Sequence, residues 1–594
     1  MSARAITPLR IDDEDFLVAS TIERCPKTMM LRELVMNALE AAENSERRLV
    51  EIGIMKIFGT PKLTIWNSGP GLDDADLLKI CNIAASLRKE KSLSANFGMG
   101  AKVASLPSNQ LGMRYRSCKN GKVHQILLGK RDGTYGIIPV QLPDSGTFET
   151  VIEVTDDDPR SKDFDWTEVV LCGNREDQDT VRDPYNGDPK QKAQWLADTL
   201  YHRFYRLPDG VKVTLLKGTN KLDGNRQFET IPQRLRHFEK YETVTHVSGI
   251  KVHFLYDAQY GETGHNRSVS GAIATDLSTL AVVYRDEMFD VKSGRNWTFD
   301  APIFGIPFGA RHISVHIELP DDYLVTPEQY RQFLRHNGGE QPQVTAKDFA
   351  EIVRECRPEW LIELIQSFAP QGASSDDIRD ELQRLLNELR VKRVSPRIVA
   401  EGPINVESGT GSASANSHGL SEGEAGQKPR QRPTDLSIAP VGAKRAGIFS
   451  NLERAPKIIL LENDEQIEEK ELKGRAARYY LETGELFINM KYPAVEEMRQ
   501  LLEDEYVGTA DPEILRIMTL EKSRRSMILR VGRTVVFALA KQLSKEWDQK
   551  AQETAWSPES LSMAADNVAD SLQTVKRQLG AALRPNRNEA TATA

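Results

Sequence analysis

Apolar positions near the start of the chain change from a helical period to a strand-like period. Residues 28–43 contain no helix breaker and repeat apolar residues three or four positions apart, which predicts an amphipathic helix that begins near Pro26. Residues 50–58 and 62–66 are two apolar runs separated by a segment with glycine and proline, which predicts two strands joined by a turn. The second strand leads directly into a glycine-rich segment.

Strand-like runs also recur in the middle of the chain, where polar segments separate them. The runs are residues 211–216, 251–256, 280–284 and 313–319. Residues 345–393 then return to a helical pattern, with Ser375 as a predicted N-cap before a repeat of isoleucine and leucine. The alternation of both periods predicts an α/β chain with a helical segment after its strands.

A polar segment divides this region from the rest. Residues 401–430 hold six glycines and five serines and no aromatic residue, so they cannot bury enough apolar surface to offset their ordering entropy. Beyond this predicted linker, residues 457–461 have a strand pattern and residues 476–490 a hairpin pattern. Two or three helices are predicted between residues 494 and 580, before a short disordered tail.

Composition and charge narrow the class of protein. The chain has 594 residues and a net charge of −8, which excludes a blanket of positive charge but leaves room for a local basic patch. The first ten residues lack the apolar core of a signal peptide, and no apolar run is long enough to cross a membrane. The five cysteines are widely spaced, without metal or disulfide spacing. These features predict a soluble cytoplasmic protein without a membrane partner.

The first predicted helix carries the strongest chemical signal. Glu33 and Asn37 are four residues apart and therefore share one helix face. A carboxylate can orient a water molecule, and the oxygen of an amide can ligate Mg²⁺, so the pair suits a hydrolytic site. A solvated face of an amphipathic helix is the alternative explanation of the same spacing.

Two glycine-rich segments follow the helix. Asn67 ends the second strand, and Gly69 and Gly71 behind it allow the backbone to pass close to a flat ligand. Gly98 and Gly100 precede a predicted helix, where free backbone N–H groups and the helix dipole favour a phosphate. Either segment alone also fits an ordinary turn, and the spacing matches neither a P-loop nor a dinucleotide fingerprint.

Taken together and in this order, the three segments resemble the GHKL superfamily (gyrase, heat-shock chaperone, histidine kinase, MutL). Its nucleotide-binding domain is a Bergerat-type α/β sandwich. The resemblance implies that Glu33 is the general base and that Asn37 is the magnesium ligand. The remaining residues that it assigns to ATP binding are Asn67, Gly69, Gly71, Ser86, Lys89, Gly98, Met99, Gly100, Ala101 and Lys102.

The sequence departs from the family at the adenine-reading position, where the family has aspartate and this chain has Asn67. The amide oxygen still accepts a hydrogen bond from an adenine amine, so we expect ATP binding to persist in a weaker form. Altered base preference and a slow enzyme are the alternatives. The family also takes a cation from a second domain, for which Lys292 and Arg311 are candidates. His312 and His316 would share a strand face, but no third metal ligand lies nearby in sequence, which favours structural roles.

The resemblance also implies a domain arrangement. The predicted segments are an ATP-binding domain at 1–204, a transducer-like α/β domain at 205–340, a helical segment at 341–399, a disordered linker at 400–450, a C-terminal α+β module at 451–582 and a disordered tail at 583–594.

The glycine-box context is most similar to the MORC-like and chaperone-like branches, in which ATP binding dimerises the N-terminal heads. The resemblance therefore implies a Mg²⁺-dependent ATPase that works as a homodimeric clamp. A cationic stretch on a predicted C-terminal helix fits nucleic acid as the partner, with a solvated helix face or a dimer rim as the alternative explanation; its residues are Lys522, Arg524, Arg525, Arg530 and Arg533. A protein client remodelled by the ATP cycle, and a nucleotide switch with little turnover, are the alternative hypotheses.

Overall fold

The computed structural model describes residues 12–81, 100–142, 146–154, 160–192, 194–258, 278–337, 342–369, 376–391, 454–543 and 547–583. The chain divides into two compact units, Met1–Ala369 and Pro370–Ala594. Each unit combines helices with β-sheet, so the α/β multidomain fold class predicted from the sequence is confirmed. None of the helices within these ranges has the length and apolar character needed to cross a membrane.

The first unit is rich in strands. They are β1 (Leu49–Ile57), β2 (Thr60–Ser68), β3 (Met113–Lys119), β4 (Lys122–Arg131), β5 (Thr134–Ile137), β6 (Val140–Gln141), β7 (Phe148–Glu149), β8 (Val151–Glu153), β9 (Trp166–Leu171), β10 (Lys212–Leu215), β11 (Arg226–Gln227), β12 (Lys240–Thr245), β13 (Lys251–Tyr256), β14 (Thr279–Tyr284), β15 (Glu287–Ser293), β16 (Ile313–Glu318), β17 (Val325–Pro327) and β18 (Leu334–His336).

Eight α-helices are described in the same unit. They are α1 (Glu14–Arg24), α2 (Met30–Glu43), α3 (Asp74–Cys81), α4 (Gly100–Ser105), α5 (Trp195–Tyr201), α6 (Gly294–Asp300), α7 (Ala350–Glu355) and α8 (Glu359–Phe368).

Two mixed sheets organise the described strands of this unit. The larger one has the order β11-β10-β1-β2-β9-β3-β4-β5, with β8 also paired to β4. The smaller one, called here the five-stranded sheet, has the order β12-β13-β16-β14-β15. Strands β1 and β10 are parallel, as are β14 and β16, while the remaining neighbours in both sheets are antiparallel.

Helix α2 packs its apolar stripe on the larger sheet. Leu34, Val35 and Ala38 belong to the main core cluster together with Ile65 of β2. The opposite face of β2 is also covered, because Trp66 packs in a second cluster with Cys118, Val123 and Trp166. Because both faces are covered, residues 62–68 of β2 are buried without a break, the polar ones included.

Two sequence predictions differ from the structure in detail. Helix α2 begins at Met30 rather than near Pro26, because Pro26 is extended and Lys27–Met29 form a single 3₁₀ turn. His312 and His316 do not share a strand face: His312 lies in a turn before β16 and stacks on Phe368. His316 is buried, and its Nε2 lies 2.8 Å from the hydroxyl of Thr279. No cluster of metal-ligating side chains occurs in the described ranges.

The second unit is a small sheet surrounded by helices. Its described elements are strands β19 (Lys457–Leu461), β20 (Ala477–Tyr480) and β21 (Glu485–Asn489), and helices α9 (Asp376–Val391), α10 (Asp464–Glu469), α11 (Pro493–Tyr506), α12 (Pro512–Leu543), α13 (Gln549–Ala555), α14 (Pro558–Asp566) and α15 (Ala569–Ala582). The hairpin predicted from the sequence is the antiparallel pair of β20 and β21. Helix α9 packs against the long helix α12, where a Cβ on Gly532 would contact Leu382.

Candidate functional site

Helix α2 places the carboxylate of Glu33 beside the first residue of helix α4. Glu33 is only 9% exposed. A Cβ atom added to Gly100 would overlap Oε2 of Glu33, so a glycine is required here to leave room for the carboxylate. The sequence assigned these two residues to one site from two separate segments, and the structure places them side by side.

An arginine next to Glu33 connects its carboxylate to the five-stranded sheet. Arg32 donates from Nη1 to Glu33, and from Nη2 and Nε to the two oxygens of Glu287 on β15, the last bond measuring 2.8 Å. Arg203 donates to Glu287 at 2.8 Å, and Arg331 lies 3.6 Å from the same carboxylate. Glu33 therefore belongs to a buried charge network, in which Arg32 is the shared member.

Glu287 remains ionised in this network although it is only 4% exposed. Burial by itself would raise the pKa of its carboxyl group. The charge of Arg203 and the hydrogen bonds from Arg32 outweigh burial and lower the pKa of Glu287 from 4.5 to about 2. Because the folded-state pKa lies below the ordinary value, the ionised group stabilises the fold above about pH 4.5. This stabilisation is lost as the pH falls towards 2.

We expect the lowered pKa of Glu287 to make the stability of the fold measurably sensitive to acid. The contribution of Glu287 to the free energy of unfolding should fall by about 2 kcal/mol between neutral pH and pH 3. Denaturant unfolding at a series of pH values measures the fall, and Glu287→Gln should be less sensitive by that amount. Asp286→Asn, at the neighbouring and exposed position, is the matched control. Equal acid sensitivity of wild type and Glu287→Gln would contradict the assignment.

Asn37 lies one helical turn after Glu33 and is exposed. The two residues share a face of α2, as their spacing predicts. An exposed amide oxygen next to a mostly buried carboxylate is the donor set that a hydrated hard cation and a reacting water need. The side chains present therefore fit a Mg²⁺ ion bound together with a phosphate ligand.

Asn67 lies near the end of β2 and is 6% exposed. Its Nδ2 donates to the carbonyl of Ser68 at 3.2 Å. The register of β2 and β9 pairs Asn67 with Thr167, whose hydroxyl lies 2.9 Å from that of Ser117. The Ser117 hydroxyl also accepts from the amide of Leu72 at 2.8 Å and so fixes the segment after Asn67. Sequence reasoning missed Thr167 and Ser117, because only the strand order brings them to this place.

The glycines after Asn67 serve close backbone packing. A Cβ on Gly69 would lie 2.6 Å from the carbonyl oxygen of Ala41 in α2. A Cβ on Gly71 would overlap the carbonyl of Cys118 in β3. Both glycines are therefore required by the fold itself, and their passage beside a purine stays a prediction.

Lys102 of the second glycine segment is turned into the protein. Its Nζ donates to the carbonyl oxygen of Ile80 and so satisfies a backbone group at the end of α3. Burial lowers the pKa of Lys102 from 10.5 to about 8. Ala101 is buried beside it. The other residues that the sequence predicts for this segment lie outside the described residues; they are Ser86, Lys89, Gly98 and Met99.

The two cations proposed from the second region have other surroundings. Lys292 donates to Asp300 at 2.6 Å, and Arg311 lies in the 3₁₀ turn Ala310–His312. Arg203 and Arg331, both missed by sequence reasoning, are the cations that join the Glu33 network through Glu287. No periodicity or motif marks either arginine, so the sequence held no signal for them.

Most of the cationic stretch on α12 is engaged with acidic side chains of the same unit. Arg524 pairs with Glu462 at 2.9 Å, and Arg533 lies 3.3 Å from Glu381. Arg525 pairs with Asp377 and Glu381. These ion pairs reduce the positive charge that the helix presents to a polyanion.

The structure is a mixed α/β protein in which a carboxylate lies against a glycine at a helix start, with an exposed amide one helical turn away. No protein-family model matches the chain, and no curated protein matches it. Among solved structures, the chain is similar to the crystal structure of the B subunit of DNA gyrase from Myxococcus xanthus, with 12% sequence identity and a TM-score of 0.31. That similarity covers 57% of this chain and 93% of the gyrase chain.

Proposed function

We propose that the chain binds ATP with Mg²⁺ in the manner of the GHKL superfamily and hydrolyses it at the site on helix α2. One observation carries the proposal: the Glu33 carboxylate lies against the glycine that begins α4, with the exposed Asn37 one turn away. A helix start offers backbone N–H groups to a phosphate, and a carboxylate beside it is placed to accept a proton from water.

Each residue has a separate role in this proposal. Glu33 accepts the proton of the attacking water, and Asn37 holds Mg²⁺, which when bound neutralises phosphate charge. Asn67 and its strand partner Thr167 read the adenine edge through an amide and a hydroxyl. The phosphate-facing residues of the proposal are Ser86, Lys89, Gly98, Met99, Gly100 and Ala101, whereas the ammonium group of Lys102 is held by the carbonyl of Ile80.

We further propose that the nucleotide cycle opens and closes a homodimeric clamp that acts on nucleic acid. A protein client is the second candidate partner, and the ion pairs of α12 favour it, because they leave that helix less charge for phosphate contacts. A nucleic-acid partner would then contact another surface of the clamp. Salt-dependent DNA binding separates the two candidates, since phosphate contacts weaken steeply as salt rises.

The whole proposal is tested by light scattering of the full chain with ATP, ADP and a non-hydrolysable ATP analogue, alongside a phosphate-release assay. We expect the dimer to form with ATP and the analogue, to dissociate after hydrolysis, and to be absent with ADP. A monomer under all three conditions would refute the clamp, and the absence of both binding and phosphate release would refute the ATPase itself.

Asn37→Ala is expected to abolish the Mg²⁺-dependent part of ATP binding, because the cation loses the amide oxygen that the proposal assigns to it. Calorimetric titration with ATP, with and without Mg²⁺, measures this part directly. Asn44→Ala is the matched control, because Asn44 caps the C-terminal end of the same helix. This variant should behave as wild type. If the wild type shows no effect of Mg²⁺ on affinity, Asn37 is not a metal ligand.

A further inference from the structure

A polar cavity of about 510 Å³ lies in the second unit, with walls from helices α9, α12, α14 and α15. Its charged lining is unbalanced, with four cationic side chains against two carboxylates. The cationic residues are Lys522, Arg525, Arg530 and Arg533, and the carboxylates are those of Glu381 and Asp570. The excess of positive charge points to an anionic ligand.

Arg530 is the buried cation of this lining. It is 8% exposed and forms no ion pair with a carboxylate in the part of the chain that the structure describes. Its guanidinium donates to the hydroxyls of Ser526 and Ser571, at 2.9 and 2.6 Å, and to the carbonyl of Ala565 at 2.8 Å. Its buried Nε–H has no acceptor.

A buried cation whose hydrogen-bond partners are all neutral is costly, because the nearest carboxylates, those of Asp570 and Asp566, act on it only from beyond ion-pair distance. Burial accordingly lowers the pKa of Arg530 below its ordinary value. An anion in the cavity would compensate the charge of Arg530 and add charge-assisted hydrogen bonds.

We propose that this cavity binds a small phosphorylated molecule. A phosphomonoester carries a charge of about −1.5 to −2, opposite in sign to the charge excess of the lining, and its three oxygens suit convergent donors. The hydroxyl groups of Ser526, Thr534 and Ser571 line the same space and are hydrogen-bonded within the protein. The volume is that of a small-molecule site rather than of a lone phosphate ion, and Leu529 and Val575 provide an apolar wall for the remainder of the ligand.

The lining argues against a nucleic-acid strand or a second nucleotide at this place. No aromatic side chain is among the residues that line the cavity, so a base would lack a stacking surface there. Arg525 and Arg533 at the cavity are already paired with Glu381, which leaves a local charge centred on Arg530 rather than a continuous cationic track.

Titration calorimetry of the full chain with glycerol phosphate tests the proposal, with glycerol as the uncharged comparison. We expect saturable binding of glycerol phosphate alone, and a loss of about tenfold or more in affinity for Arg530→Met. Arg524→Met is the matched control, since Arg524 lies on the same helix but does not line the cavity. Any binding at the ATP site would be equal in both variants, so only the difference between them is used.

A second variant keeps the test decisive if Arg530→Met does not fold. Asp570→Asn removes one of the two carboxylates of the lining and should tighten the binding of glycerol phosphate severalfold, an effect that misfolding cannot produce. Binding that is unchanged in Arg530→Met, or lost equally in Arg524→Met, would overturn the proposal. Unchanged or weaker binding by Asp570→Asn would overturn it as well.

Discussion

Replacing Glu33 with Gln is expected to lower the rate of ATP hydrolysis by about 10²–10⁴ while leaving ATP affinity nearly unchanged. A positioned general base contributes about this factor, and Gln has the same shape but cannot accept the proton. The substitution suits the site, because the side chain of residue 33 packs directly against Gly100 and a larger change would disturb that contact. Single-turnover phosphate release and equilibrium titration with ATP measure the two quantities separately.

The control for this experiment is on the same helix. Glu40→Gln removes an equal charge from α2 two turns after Glu33 and should retain most of the hydrolysis. The fold of Glu33→Gln should persist, because Arg32 keeps both of its bonds to Glu287. If Glu33→Gln hydrolyses ATP as fast as the wild type, Glu33 is not the base; if both variants fail equally, the loss reflects the charge of the helix.

Local spacing predicted the part of the site that lies on one element. Glu33 and Asn37 share a face because a helix fixes the direction of residues four apart, whatever surrounds it. The strands β1 and β2 were predicted within two residues at each end, since their apolar runs are bounded by turn residues. The helix start was misplaced because a proline suits both the first turn of a helix and the extended residue before it.

Contacts between segments that are distant in sequence could not be predicted from the sequence. Thr167 is opposite Asn67 only because β9 is inserted between β2 and β3 in the sheet. Arg203 and Glu287 meet because a bridge joins Phe204 to Glu287 across the first unit. Such pairings depend on strand order, and no periodicity within either segment encodes it.

The glycines illustrate a different limit of reasoning from the sequence. Glycine was assigned to ligand approach at four positions, of which Gly98 lies outside the described residues, because a bare backbone is what a flat ligand or a phosphate requires. The structure gives Gly69 and Gly71 a reason that holds without any ligand, since each faces a backbone carbonyl of a neighbouring element. Gly100 differs from both, because what it leaves room for is the carboxylate of Glu33 itself.

Gly100→Ala is therefore expected to reduce hydrolysis by about 10², the effect of displacing a catalytic group by about 1 Å. The added methyl group would occupy the position of Oε2 of Glu33, so the carboxylate must turn away from α4 or the helix must shift. A steady-state rate measurement at saturating ATP shows the loss, and circular dichroism with thermal unfolding shows whether the fold is retained.

Gly224→Ala is the matched substitution, because a Cβ at Gly224 meets no atom within 4 Å and its backbone is not in the left-handed region. It should leave both the rate and the unfolding temperature unchanged. A second comparison isolates the cause: in the Glu33→Gln background the Gly100→Ala substitution should add little further loss, since the group it displaces is already inactive. Full hydrolysis by a folded Gly100→Ala variant would show that the position of the Glu33 carboxylate beside α4 has no part in the reaction. Independent, multiplicative losses in the double variant would place the effect of Gly100 elsewhere, in the backbone that faces the phosphate.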